Sequence, residues 1–313
     1  MAGIGGGLSA QGTTVSGIVM RGGARRAPLA AQWVVLHQIT NAGGAPIDSM
    51  RTDAMGRYRL RLRALDSTAL YIASARYDGL AYFSQPIHVS AGHAALADSL
   101  YVYDTTSTGA PIAVRRRLVT VAHPKDDGTR DVLEILELEN ADHRTRVSSD
   151  TTRPVWVGRI PAVAIQFQVG QSDFSADVIG RRADSVVLYA PVQPGGPYQL
   201  SYAYVLPAST PTLSIPIDQP VTELDLLVED TLTVVSGPSL RPGGVQHIEG
   251  RTFARYQTAA LAPGAEVAIQ FPRGRFSVQL LVKPLIGVFA VALVIGLIIA
   301  ARRKEQGARS REQ

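Results

Sequence analysis

Six histidines, His37, His88, His93, His123, His143 and His247, are the side chains best suited to proton transfer or metal ligation in a chain that has no cysteine. Only His88 and His93 are near one another. Five residues apart, they would point to opposite faces of a continuous strand, and Gly92 between them marks a turn. Zinc takes three or four protein ligands and no others cluster nearby, so solvated loop histidines are the expectation. Lys125-Asp126-Asp127-Gly128 and Asp150-Thr151-Thr152 offer fewer oxygens than Ca²⁺ requires, and both read as turns. HExxH, GxxxxGK[ST] and GxSxG are absent. Gly5-Gly6-Gly7-Leu8-Ser9-Ala10 fits GxGxxA in letters only, because no strand precedes it. No catalytic residue, cofactor site or metal ligand is assigned, and a hydrolase with a triad scattered along the chain is the remaining enzymatic reading.

Two further groups carry recognition chemistry. Tyr198, Tyr202 and Tyr204 stand at strand spacing, with Tyr189 and Trp156 in the same stretch. Exposed, such a face would bind sugars or a protein; a half-buried sheet needs an apolar face, so a core is expected. Arg115-Arg116-Arg117 opens a candidate strand and is read as a solvated strand edge that discourages aggregation, the alternative being a face for anionic lipid or an acidic partner.

The elements that must hold these residues are strands. Twenty-nine Gly and 19 Pro are spread among short apolar runs in 313 residues of 46% hydrophobic content, which predicts an all-β chain with two or three β-sandwich domains. Strands are expected at Thr14–Met20, Gln32–Thr40, Arg57–Arg63, Ala69–Tyr77 and Leu80–Phe83. Tyr103 to Pro111 is small, polar and turn-rich, and reads as a linker into a second domain. Beyond it, Val163, Ile165, Phe167 and Val169 alternate with Ala164, Gln166 and Gln168, and Tyr198 to Tyr204 alternate likewise. Asp131 to Asn140 has glutamates at helical spacing but is short and uncapped, and is read as a strand. Leu213–Ile217, Val221–Val228, Leu232–Val235 and Val267–Phe271 complete the set. The expected domains are residues 13–104, 105–207 and 208–280, the last two separate or parts of one larger sandwich.

The first of these domains resembles a known family. Gly17-Ile18-Val19, Pro28-Leu29-Ala30 leading into Trp33-Val34-Val35-Leu36, and above all Thr52-Asp53-Ala54-Met55-Gly56-Arg57-Tyr58-Arg59-Leu60 are similar to the carboxypeptidase regulatory-like, or transthyretin-like, domain. The resemblance implies a small β-sandwich in an exported bacterial protein and no activity; the two or three sandwiches of the chain are expected to be of transthyretin-like or immunoglobulin-like type. The residues themselves give the turn chemistry: Asp53 can accept backbone amides, Gly56 can take a positive φ, and Tyr58 and Leu60 share one strand face.

From Pro284 to Ala301 the sequence has eighteen residues without a charge, extended by Leu280, Leu281 and Val282 before Lys283. A transmembrane helix is expected over 281–301, because such a run spans the roughly 30 Å hydrocarbon core at about 1.5 Å per residue. Arg302, Arg303 and Lys304 follow at once and place residues 302–313 on the cytoplasmic side, so that the β-domains are periplasmic on a bacterial inner membrane. Export needs a signal; MAGIGGGLSAQ lacks a basic n-region and is read, within residues 1–12, as the remnant of a signal peptide cleaved near Leu8-Ser9-Ala10, or as a flexible arm. Ala292, Gly296 and Ala300 lie four apart and form a small-residue face for packing against a neighbouring helix.

The formal charge of +5 is no nucleic-acid signal, since Arg302, Arg303, Lys304, Arg309 and Arg311 against Glu305 and Glu312 place +3 of it in the tail. The function expected is that of a non-enzymatic, membrane-anchored accessory subunit in contact with the bilayer and with integral-membrane protein partners. A bacterial photosynthetic reaction centre with its antenna serves as an example of a host, one that no residue specifies. The alternative is a periplasmic or cell-surface module that binds glycan or another envelope component.

Overall fold

The computed structural model describes residues 13–90, 93–150, 152–230 and 232–272. The expected signal remnant, the transmembrane span with its Ala292, Gly296 and Ala300 face, and the basic residues Arg302, Arg303 and Lys304 lie outside the described residues. Within them the chain is all-β, with several sheets arranged in sandwich-like fashion. The helical element among the described residues is a 3-10 turn, Ala176–Val178, and none there is long and apolar enough to cross a membrane.

The strands begin with Thr13–Arg21 (β1), Ala27–Pro28 (β2), Trp33–Thr40 (β3), Gly43–Arg51 (β4), Arg57–Leu62 (β5), Leu70–Tyr77 (β6), Leu80–Phe83 (β7), Ala95–Leu96 (β8), Leu100–Val102 (β9) and Thr105–Thr106 (β10). Chain order continues with Ala113–Val121 (β11), Arg130–Glu139 (β12), Thr145–Arg146 (β13), Trp156–Arg159 (β14), Ile165–Val169 (β15), Ile179–Arg182 (β16), Ser185–Leu188 (β17) and Tyr198–Leu206 (β18). It ends with Thr212–Pro216 (β19), Val221–Val228 (β20), Val234–Ser236 (β21), Arg241–Ile248 (β22), Arg251–Thr258 (β23) and Glu266–Gln270 (β24). The described residues form two compact units, one of those up to Thr106 with His143–Thr145, the other of Ser107–Asp142 with those from Arg146 onward.

In the first unit β1 pairs with β5 antiparallel and with β8 and β9 parallel, while a second sheet runs β4-β3-β6-β7. The turn into β5 follows from its residues. Asp53 Oδ1 accepts the amides of Met55 and Arg57 at 2.8 Å each, and Gly56 takes φ +72°, where a Cβ would lie 2.6 Å from the Val19 carbonyl oxygen. Beyond the turn, Tyr58, Leu60 and Leu62 alternate inward with the arginines of the same strand outward. They meet Val15 and Val19 of the neighbouring β1 and Val34, Leu36, Tyr71 and Tyr82 of the other sheet in one core. Strand β4, Gly43-Gly44-Ala45-Pro46-Ile47-Asp48-Ser49-Met50-Arg51, was not anticipated, because Gly and Pro hide its strand character.

The second unit is built on a seven-stranded sheet in the order β15-β18-β12-β11-β20-β23-β22. It takes strands from both sides of residue 207, since β20 lies parallel to β11. Two three-stranded sheets, β14-β17-β16 and β19-β24-β21, share its principal core, which includes Val119, Val132, Leu136, Tyr202, Tyr204, Leu226, Leu213 and Ile269.

Two expectations are corrected here. Strand β11 lies inside the sheet between β12 and β20, so Arg115-Arg116-Arg117 is not a solvated strand edge. The simple alternation over residues 163–169 also fails. Gln166 takes φ +51° and the ladder to β18 slips between Ile165 and Gln168, so Val163 is 54% exposed and Ile165 exposed, while Ala164 is buried.

Candidate interaction surface

The outward face of the β4-β3-β6-β7 sheet carries the exposed large apolar side chains Trp33, Leu70 and Phe83. Val34 and Leu36 on β3, and Tyr71, Ala73 and Ala75 on β6, turn into the core, so period-two alternation sends Trp33, Val35, His37 and Ile39 and their neighbours Leu70, Ile72 and Ser74 outward. Register brings them into rows: Val35 faces Ser74 and Ser74 faces Phe83; His37 faces Pro46 and Ile72; Ile39 faces Gly44 and Leu70. Trp33 is 50% exposed, Leu70 44% and Phe83 56%. A monomer seldom leaves so many large apolar side chains together in water without a partner.

The polar groups of this face sit at its centre and margin. His37 Nε2 and Ser74 Oγ are 2.7 Å apart, and the His37 and Phe83 rings tilt against one another with centroids 6.4 Å apart. At the margin, the Arg51 guanidinium lies 5.2 Å from the centre of the Trp33 ring, within cation–π range. Large apolar side chains around one hydrogen-bonded polar pair, with a basic margin, are compatible with a protein-contact patch.

The second unit contains the principal buried ionisable cluster. Glu134 and Arg117 turn into the core, and Arg117 Nη2 and Glu134 Oε2 are 2.8 Å apart. The hydroxyls of Tyr202 and Tyr204 donate to the two Glu134 oxygens at 3.2 and 3.0 Å, and Arg117 Nη1 donates to the Pro216 carbonyl at 3.0 Å. Burial opposes the charge on Arg117, but Glu134 more than offsets it and its pKa is raised; burial first and Glu134 second push both tyrosines well above the ordinary phenol value. This hydrogen-bonded cluster ties β11, β12 and β18 together. Beside it, Arg117, Trp156, Tyr202 and Asp218 line a cavity of ≈ 10 Å³, about the room of one water.

On the opposite face of the same sheet Arg116 pairs with Glu223, and Arg255 pairs with Asp225. The arginine triplet thus divides, with Arg117 in the core, Arg116 ion-paired on the other face and Arg115 exposed.

The other sequence-selected groups disperse. His88 and His93 are exposed, and among the described residues no three metal-ligating side chains converge. Asp127 Oδ1 accepts the amide and hydroxyl of Thr129, and Asp150 Oδ1 those of Thr152, so both acids serve turns. Tyr202 and Tyr204 are buried as a core face, with Tyr198 packed on Phe174. The outward face of β3 and β6 was not found from sequence. Its one signal is the run Trp33-Val34-Val35-Leu36, apolar on both strand faces when only one can be covered by a single facing sheet.

No family model and no curated protein matches the chain. Among solved structures it is similar to an M1 zinc metallopeptidase from Deinococcus radiodurans, with 9% identity and a TM-score of 0.36 over 53% of this chain and 43% of that chain. It is similar also to the major pilin SpaA of Corynebacterium diphtheriae, with 12% identity and a TM-score of 0.20 over 64% of this chain and 61% of that one. The chain spans under half the length of the metallopeptidase chains it matches. Likeness at these TM-scores carries no argument about function.

Proposed function

We propose that the chain is a non-enzymatic, membrane-anchored accessory subunit whose periplasmic β-domains make protein contacts within a larger bacterial membrane complex. The observation that carries the contact reading is the outward face of β3, β6 and β7, where Trp33, Leu70 and Phe83 remain exposed around Val35, Ile39 and Ile72. Aromatic anchors in an apolar middle are what alanine scanning finds at the energetic centre of protein interfaces. The anchoring reading is supported by the sequence, by the uncharged run Pro284 to Ala301 and the Arg302-Arg303-Lys304 cluster after it. The assignment of the first unit as a transthyretin-like sandwich is supported by the Asp53-to-Gly56 turn and by the alternation that follows it.

A glycan-binding module would need an open aromatic platform. Trp33 is the exposed tryptophan of the two in the chain, and the Arg51 guanidinium already lies over its ring. The test is to extract the full chain from its native membrane in mild detergent through a tag on the C-terminal tail, and to identify what accompanies it by native gels and mass spectrometry. A stoichiometric set of integral-membrane proteins is expected. Recovery of the chain alone, or as a homo-oligomer, overturns the subunit reading.

A further inference from the structure

The other sheet of the first unit presents a face of different chemistry. On β5, Tyr58, Leu60 and Leu62 fill the core, so Arg57, Arg59 and Arg61 stand outward in a row, with Arg63 continuing it past the strand end. Residues two apart on a strand are separated by about 6.7 Å, so the three guanidinium stems span roughly 13 Å in a straight line. Among the described residues none of these four arginines forms an ion pair. Between residues 13 and 106 nine arginines stand against six aspartates and no glutamate. Of the six, Asp104 pairs with Arg21, Asp53 and Asp66 accept turn amides, Asp78 accepts from Thr105, and Asp48 accepts the Arg61 amide. Asp98, between β8 and β9, is the remaining acid.

The ladder neighbours of the row on β1 are apolar or hydroxylic, while the carboxylates of Asp48 and Asp53 stand beside it on the backbone amides of Arg61 and Arg57. Across the ladder on β1 lie Thr14, Ser16 and Ile18, opposite Arg61, Arg59 and Arg57. On the far side of β1, Ser16 faces Leu96 and Met20 faces Tyr101. Leu96 is 83% exposed, and Arg26 lies 5.4 Å from the centre of the Tyr101 ring. An unpaired cationic row beside a protruding leucine and an interfacial tyrosine matches a bilayer surface of anionic headgroups: the cations meet the lipid phosphates while Leu96 enters the boundary with the acyl chains.

We infer that this face of the β2-β1-β5 sheet, with β8 and β9 beside it, docks the first unit onto an anionic lipid bilayer. The inference rests on the anchored reading above, because a tether to the same membrane makes the docking intramolecular and allows a weak contact to be populated. Each cation held near an anionic surface shifts the docked-to-undocked ratio about fivefold, so removing three arginines lowers it roughly a hundredfold.

The test exploits the absence of cysteine from the chain. A single Leu96→Cys is labelled with a fluorophore in the full chain and reconstituted into nanodiscs containing brominated lipid, of phosphatidylcholine alone or with phosphatidylglycerol. The expected result is quenching only with phosphatidylglycerol, relieved by Arg57→Gln/Arg59→Gln/Arg61→Gln and by high salt, with no quenching of a label at Phe83→Cys on the other sheet. Both positions are exposed, so folding is preserved. Absence of quenching with phosphatidylglycerol, or quenching indifferent to the arginines, overturns the docking inference while the chain still co-elutes with the discs. A chain that does not enter the discs overturns the anchored reading instead, and the same label then reads docking on external phosphatidylglycerol vesicles, where unquenched fluorescence is again a refutation.

Discussion

Arg51 and Trp33 are direct cross-strand partners at the margin of an exposed sheet, with the guanidinium 5.2 Å from the centre of the indole ring. Arg51, together with the outward-facing Arg76 of β6, places charge at the border of this face, which limits non-specific association without removing the aromatic anchor from it. The same unit therefore has one apolar and one basic outward face, each set by the period-two alternation of strands whose inner residues form a single core.

The apolar face answers to substitution without cost to the fold. Leu70→Glu with Phe83→Arg is expected to change stability by no more than about 0.5 kcal/mol per site, because both side chains are already half in water. Recovery of partners in detergent is expected to fall at least tenfold, as it does when interface anchors are lost. Thermal unfolding and quantitative mass spectrometry of the same preparations check both parts.

The buried charge of the second unit behaves oppositely. Glu134→Gln leaves Arg117 buried without its counter-charge and is expected to cost about 3–5 kcal/mol. Arg117→Met combined with Glu134→Leu is expected to cost less than the sum of the single changes, since no uncompensated charge remains. Urea midpoints of the two single variants and the double one measure this coupling.

The turn into β5 gives a graded test of backbone strain. Gly56 and Gly79 both hold positive φ, but a Cβ at Gly56 would lie 2.6 Å from the Val19 oxygen, whereas at Gly79 nothing lies within 4 Å. Gly79→Ala is therefore expected to cost about 1 kcal/mol for the left-handed conformation, and Gly56→Ala clearly more. Urea unfolding of the two variants orders them.

Alkaline pH acts through Tyr58, whose hydroxyl is buried without a hydrogen-bond partner and whose pKa burial pushes up to about 12. The folded chain keeps this proton where the unfolded chain, with its phenol near 10, releases it. The stability from the neutral hydroxyl is thus full below pH 10 and is lost as pH rises through about 12, amounting to roughly 1 kcal/mol of loss by pH 11. Tyr58→Phe is expected to flatten this part of the pH profile, measured by urea unfolding at pH 8 and 11.

Much of the fold was legible because its strands announce their turns. Thr52 to Leu60 contains an Asx turn, a positive-φ glycine and an alternating strand in one stretch, and each forms as the residues require. Tyr202 and Tyr204 were readable as core for the same reason. What escaped depends on contacts distant in sequence. Nothing near Arg117 announces that β20, a hundred residues on, will flank it, and the slip at Gln166 that turns Val163 outward comes from a left-handed residue without a glycine to mark it. The candidate surface escaped for a further reason: Trp33 to Leu36 is apolar on both faces, and sequence does not say which face stays uncovered.

The central claim is that the outward face of β3, β6 and β7 contacts a protein of the membrane. The most direct measurement replaces Leu70 with a photo-crosslinking phenylalanine analogue in the full chain and irradiates native membranes. One defined adduct with an integral-membrane protein, abolished by Phe83→Arg, is the result this account predicts. No adduct, or a spread of unrelated adducts indifferent to Phe83→Arg, would contradict it.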